Sequence, residues 1–148
     1  MHLTHEPIRL EKFFPEEGEG GRVEEVGAEV LFLGRVRRRS NGKAVLYLSY
    51  EAFEEMAERV LAGLTAEALR RWPLEALKVL HRLGRVEVGE IAVAIEVKSV
   101  HREEAYVASR FLIEAVKHRV PIWKKEYFED GTSEWGGCHP YAELQAGA

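Results

Sequence analysis

Apolar residues along this chain recur with two different periods, and the alternation between the two outlines a fold. Over residues 28–36, Val30, Phe32, Gly34 and Val36 fall on one face of an extended segment and Leu31, Leu33, Arg35 and Arg37 on the other, which predicts a strand. Asn41-Gly42 is a strong hairpin signal and predicts a partner strand over residues 44–50. Residues 51–72 carry Phe53, Met56, Val60, Leu64, Ala68 and Trp72 at spacings of three and four, the stripe of an amphipathic helix stopped by Pro73, with Met56 and Trp72 expected in the core. Two strands are predicted over 77–83 and 91–97, joined by a loop over 84–89. A second helix follows over 103–116, where Val107, Phe111 and Ala115 interleave with Leu112 and Val116. Pro121 ends it, because proline lacks the amide hydrogen and pushes Val120 towards extended geometry. A last strand over 122–128 reaches the turn signal Asp130-Gly131 and returns over 133–135. Residues 7–14 read equally as a strand or a short helix. The order of strand pair, helix, strand pair, helix, strand pair predicts an α+β fold with mainly antiparallel pairing.

The 148 residues suit a single domain, 1–148, able to bury roughly 68–70% of its unfolded surface. The tail, 136–148, lacks pattern and is expected to take order only with a partner. No apolar run approaches the ~20 residues that span a bilayer, so no membrane segment is expected. The opening Met1-His2-Leu3-Thr4-His5-Glu6 has no basic start and no apolar run, and the single cysteine, Cys138, rules out an internal disulfide framework. Together these point to the cytoplasm.

The net charge of -4 argues against a nucleic-acid coat, but the cations are not spread evenly. Arg35, Arg37, Arg38, Arg39 and Lys43 lie in one short stretch, and Lys117, His118, Arg119, Lys124 and Lys125 in another. If folding brings the stretches together they form one anion site. Lys117 falls on the last turn of the second helix and Lys124 on the strand beyond Pro121. Strand alternation turns Lys124 and Lys125 to opposite faces, so at most one of them readily shares a pocket with Lys117. A lysine crowded by other cations has a depressed pKa and becomes available as base or nucleophile. Cations at a helix C-terminus are also favoured by the backbone dipole alone. His101-Arg102 opens the second helix, where free amides already favour an anion, although Arg102 can equally pair with a neighbouring glutamate. Arg38 and Arg39 read as solvated turn residues. The histidines show no metal-ligand spacing, and no glycine-rich phosphate loop is present.

Gly34-Arg35-Val36-Arg37, Tyr50-Glu51-Ala52-Phe53 with Met56-Ala57, Arg71-Trp72-Pro73, His81-Arg82-Leu83-Gly84, Ser99-Val100-His101-Arg102 and Lys117 followed by Pro121-Ile122-Trp123-Lys124-Lys125-Glu126 occur in this order. Taken together they closely resemble the MoaE family, the large catalytic subunits of molybdopterin synthase. The resemblance spans roughly residues 28–135. It implies an α/β hammerhead-type fold with an additional antiparallel β subdomain. It also implies a homodimer at the centre of a heterotetramer, with a small ubiquitin-like sulfur-carrier subunit at each end. The carrier's C-terminal Gly-Gly thiocarboxylate enters a pocket of the large subunit and gives two sulfurs to cyclic pyranopterin monophosphate (precursor Z), making the dithiolene of molybdopterin. No metal or redox cofactor is implied. By position, Lys117 and Lys124 match the family's catalytic lysines. Arg37, His101 and Arg102 match its substrate-binding residues, with Arg35 and Lys125 adjacent to that set. The chain departs from the family where Arg37-Arg38 stands in place of a common Arg-Asn pair, and the tail after Trp135 does not align.

Two other classes fit the same residues. One is a binding module whose basic stretches hold nucleic acid, disfavoured because aromatic residues do not interleave with the cations. The other is a scaffold whose lysine end docks a carboxylate.

Overall fold

The computed structural model describes residues 1–14 and 23–137. Nine strands and three α-helices are found among them, in the order β1 (Leu3–Thr4), α1 (Leu10–Phe13), β2 (Ala28–Arg35), β3 (Arg39–Ser40), β4 (Lys43–Ala52), α2 (Glu54–Arg71), β5 (Leu74–Arg82), β6 (Gly84–Glu87), β7 (Ile91–Ser99), α3 (Arg102–Arg119), β8 (Ile122–Phe128) and β9 (Ser133–Gly137). They make two sheets. The first runs β1-β5-β7-β2, antiparallel except for the short parallel β1-β5 pair. The second runs β3-β4-β8-β9, with β6 on the edge of β4 away from β8. The α+β class and the antiparallel subdomain beside the helix-covered sheet are those expected.

The main core lies between the first sheet and the two long helices. β7 alternates Val93, Ile95 and Val97 towards α2 and α3, which meet them with Leu61, Leu64, Ala108, Leu112 and Val116. On the opposite face α1 covers Ile91 and Ala94 with Phe13 and Ile8. Glu96 also falls on that second face by strand alternation. It is only 4% exposed, with one carboxylate oxygen sealed from solvent and unpaired among the described residues. A smaller core of Val36, Val45, Leu48, Val86 and Phe128 holds the second sheet.

The structure keeps Leu64 and Ala68 of the expected α2 stripe and moves the positions before them by one. The buried face is Ala57, Leu61, Leu64 and Ala68, whereas Phe53 and Met56 stand at the surface and Trp72 is half-buried against Phe111. Both stripes satisfy spacings of three and four, and only the sheet decides which one it covers. The stretch 84–89, expected as a loop, supplies β6, because β4 leaves an edge open at residues 47–50 that Gly84 to Glu87 fill. Residues 7–14 contribute the single helical turn α1. The hairpin at Asn41-Gly42 has both residues at positive φ (52° and 77°), as its turn type requires. Gly136 and Gly137, the first two residues of the stretch expected to take order only with a partner, pair with Lys124 and Trp123 in β9. The remainder, Cys138 included, lies outside the described residues.

Candidate active site

The last turn of α3 carries Lys117, and its chain turns through Val120 and Pro121 directly into β8. Both corner residues are fully buried, and the Pro121 carbonyl accepts a hydrogen bond from the Phe53 amide at the start of α2 (3.2 Å). The last turn of α3 and the strand β8 thus project Lys117 and Lys124 from a fixed corner. On β8, Lys124 lies between Tyr50 of β4 and Gly136 of β9, and the missing side chain at Gly136 leaves room for the lysine stem.

Lys117 and Lys124 meet at a two-chambered cleft. The larger chamber, about 270 Å³, is mostly apolar, with Val93, Ile113, Val116, Ile122 and Trp123 as walls. The smaller, about 120 Å³, is lined by Arg35, Arg37, Arg39 and Glu126 together with Gly34 and Ser40. Tyr50, His81, Val93, Lys117 and Lys124 belong to both, so the two chambers are continuous at the lysines. Gly34 is required where the chambers join: a Cβ there would stand 2.6 Å from Val93 Cγ1.

The electrostatics of the junction are cationic. Burial lowers the Lys117 pKa from its ordinary value, the charges of Lys124 and Arg37 lower it further, and Glu114 partly offsets them. Lys117 forms no ion pair among the described residues, nor do Arg37 and Arg39. Lys124 is held by Glu126, 3.2 Å away, whose second oxygen is buried and unpaired. Tyr50 is kept protonated, its pKa raised to about 12 by burial and then by Glu126. His81 is held neutral, its pKa lowered to about 4 mainly by burial, with Lys117 adding to the shift and a hydrogen bond to the Arg82 carbonyl opposing it. A cleft of this kind holds an anion against arginines, presents a lysine able to exchange a proton, and keeps a second ammonium ready for developing negative charge.

The two basic stretches therefore do come together, through Arg35, Arg37, Lys117 and Lys124. Arg35 additionally donates to the Gly89 carbonyl at 2.7 Å. Arg38 and Arg39 are both exposed, as expected, but Arg39 lies in β3 rather than in a turn and also lines the small chamber. Lys125 points away from the cleft, over the rings of Tyr127 (5.2 Å) and Trp135 (5.3 Å). His101 and Arg102 stand at the other end of α3, about 22 Å from Lys117 at 1.5 Å per residue, and Arg102 has no ion pair among the described residues. Sequence reasoning gave no role to Tyr50, His81, Arg39 and Glu126. Glu126 was within reach of it, since it follows Lys124 by two on a strand and must share its face. Tyr50 and His81 reach the cleft only through the meeting of the two sheets. Among the described residues no group of three His, Cys, Asp or Glu is placed to hold a metal ion, and no helix is long and apolar enough to cross a membrane.

A sequence model of the MoaE protein family matches residues 3–119. The chain is 49% identical over 111 residues to the molybdopterin synthase catalytic subunit of Halalkalibacterium halodurans, covering 75% of this chain and 70% of that one. It is 42% identical over 139 residues to the Bacillus subtilis protein of the same name, covering 93% and 84%. Among solved structures, molybdopterin synthase from Staphylococcus aureus superposes with a TM-score of 0.81 at 41% identity, covering 92% of this chain and 96% of that one.

Proposed function

The chain belongs to the MoaE protein family and is an enzyme of molybdenum cofactor biosynthesis, and from that premise we propose that it transfers sulfur from a carrier thiocarboxylate to a cyclic pyranopterin monophosphate. The observation that carries the proposal is the joined pair of chambers with Lys117 and Lys124 at their junction. The larger, apolar chamber suits the slim Gly-Gly end of a small ubiquitin-like carrier. The smaller one suits a phosphate, which Arg35, Arg37 and Arg39 can bind through charge-assisted hydrogen bonds. Sulfur and pterin carbon then meet at the lysines.

In this mechanism the thiocarboxylate sulfur bonds to a pterin side-chain carbon as a carbon–oxygen bond at that carbon breaks, the oxygen leaving as water or on the phosphate as the cyclic ester opens, so that the carrier's acyl carbon and the pterin are joined through sulfur. Lys117, with its lowered pKa, exchanges the proton at the reacting sulfur and carbonyl. Lys124, fixed by Glu126, stabilises the oxyanion of the tetrahedral adduct. Release of the carrier and repetition with a second carrier completes the dithiolene. His101 and Arg102, too far from Lys117 to act in the same chain, join the phosphate contacts from a second copy in a homodimer, with one carrier docked at each end of the assembly. Lys125 serves the rim of the site rather than its chemistry. The reaction needs no resident cofactor and belongs in the cytoplasm.

The test is mass spectrometry of the pterin after incubation with this protein and thiocarboxylated carrier. Wild type is expected to give the two-sulfur product and Lys117→Ala none. No sulfur gain with wild type and a competent carrier refutes the proposal. A Lys117→Ala protein that loses carrier binding as well as turnover supports a docking scaffold instead.

A further inference from the structure

The stretch His81-Arg82-Leu83-Gly84 has no part in the mechanism above, yet His81 occupies the wall common to both chambers. It lies near the end of β5, 7% exposed, with its backbone paired to Val93 and its amide donating to the His2 carbonyl at 2.8 Å. Its ring is held in one orientation. Nδ1 is 2.8 Å from the Arg82 carbonyl oxygen, and since a carbonyl only accepts, Nδ1 carries the proton and Nε2 is left with a bare lone pair. Tyr50 packs edge-to-face against the ring, centroids 5.0 Å apart. Nε2 has no hydrogen-bond partner among the described residues and is not sealed from solvent. A histidine that only fills a core has its polar atoms satisfied or its ring away from open space. Here one nitrogen is anchored and the other is offered to the cleft, beside the two lysines.

We infer that His81 is the base that activates water to release the carrier after each sulfur transfer. The inference rests on the sulfur-transfer reading given above. Once carrier sulfur has bonded to the pterin, the two molecules are joined as a thioester, and the second transfer must wait until the bond between acyl carbon and sulfur is broken. A water oxygen attacks the acyl carbon with its lone pair while one of its protons passes to His81 Nε2. The oxyanion that forms faces the Lys124 ammonium. Its collapse breaks the carbon–sulfur bond, the electron pair leaves with sulfur as a pterin thiolate, and the carrier departs as a carboxylic acid that ionises. Lys117 protonates the thiolate and regains a proton from solvent as His81 gives up the one it took from water, so the sum is thioester plus water to acid plus thiol.

The division of labour follows from charge. An ammonium has no lone pair with which to accept a proton, whereas the imidazole is neutral at pH 7. The charged and titratable groups that share the cleft with it are Lys117 from α3, Lys124 and Glu126 from β8, Tyr50 from β4, Arg35 from β2, Arg37 beyond it and Arg39 from β3, with Arg82 following in its own strand. Burial chiefly keeps the resting ring unprotonated, and the neighbouring cations add to it through Lys117. A bound phosphate and then the oxyanion offset them, raising its basicity as the step begins.

The experiment is a single-turnover reaction of thiocarboxylated carrier with the pterin monophosphate, quenched in acid and read by intact-mass spectrometry for the joined carrier–pterin species and for free products. Asn at position 81 can still donate to the Arg82 carbonyl but offers no base at the Nε2 position. His81→Asn is expected to form the joined species at close to the wild-type rate and to accumulate it, with hydrolysis slowed by about 10²- to 10⁴-fold. In wild type, hydrolysis but not joining is expected to weaken as the pH falls towards about 4, where the resting ring gains its proton, a readout that stands even if the variant fails to fold. Unchanged hydrolysis in a folded His81→Asn, equal slowing of both steps, or pH-independent wild-type hydrolysis would overturn the inference. Wild type that makes neither joined species nor sulfurated product would instead overturn the sulfur-transfer reading itself.

Discussion

Replacing Glu96 by glutamine is expected to change how stability depends on pH, with a sign fixed by the structure. The Glu96 carboxyl is buried on the α1 face of the first sheet, and its pKa is raised from the ordinary 4.5 to about 7, first by burial and then by Glu29, against the pull of Lys98 (3.9 Å) and Lys78. The folded protein therefore holds this proton more tightly than the unfolded chain, and stability falls as the pH rises from 4.5 to 7, by about 3 kcal/mol in all at ~1.4 kcal/mol per pH unit. His81 acts in the opposite sense: its pKa of about 4 against the ordinary 6.5 means that stability rises with pH between those values by a similar amount. Over the shared window, roughly pH 4.5 to 6.5, the two slopes cancel and wild type should be nearly flat. Glu96→Gln removes one slope and exposes the other. Its stability should match wild type near pH 4.5 and exceed it at pH 7.5 by about 3 kcal/mol, the attraction to the two lysines being already contained in the shifted pKa. The assay is urea unfolding followed by tryptophan fluorescence at one protein concentration, where the difference amounts to a midpoint shift of about 1 M. Parallel wild-type and variant curves across this range would refute the reasoning.

Lys117→Arg should fail in sulfur transfer as Lys117→Ala does, by at least ~10²-fold in single turnover, because a guanidinium keeps its proton; normal turnover would exclude proton exchange by this residue. Gly34→Ala should lower the urea-unfolding free energy by about 1–3 kcal/mol, since the added carbon meets Val93 Cγ1 at 2.6 Å and the valine has no long stem to swing aside. Trp123 is 7% exposed and its indole nitrogen is buried with no partner among the described residues, so Trp123→Phe gives up no hydrogen bond. It should unfold within about 1 kcal/mol of wild type, where Trp123→Ala loses about 3–5 kcal/mol.

Much of the fold was legible because its signals are local. Pro121 ended α3 at Arg119, three residues past the expected 116, Asn41-Gly42 and Asp130-Gly131 made their turns, and strand alternation sent Lys124 and Lys125 to opposite faces. What failed depended on distant partners. Leu64 and Ala68 fit two stripes on α2, one through Met56 and Val60 and one through Ala57 and Leu61, and only packing against β7 and α3 selects the second. Strand β6 exists because β4 has an edge to offer, and β1 because residues 3 and 4 lie along β5. The site divides in the same way. Its lysines and the arginines at positions 35 and 37 follow from cations gathered in two short stretches. Tyr50 and His81 arrive from separate sheets, and nothing in their own neighbourhoods announces that they will meet at 5.0 Å. His101 and Arg102 were assigned by resemblance, and the length of α3 sets them apart from Lys117 within one chain.

The corner at Val120 and Pro121 works as a ruler between the two lysines. Helical geometry on one side advances about 100° per residue, and strand geometry on the other reverses direction at every residue. Because both corner residues are buried and the Pro121 carbonyl is tied to α2, slack cannot be taken up there. Adding or deleting one residue between Lys117 and Lys124 would leave both lysines in the chain but turn Lys124 out of the cleft, bringing Trp123 or Lys125 round in its place. The separation of seven positions is therefore a property that length variation in this segment cannot touch, although every side chain around it be free to change.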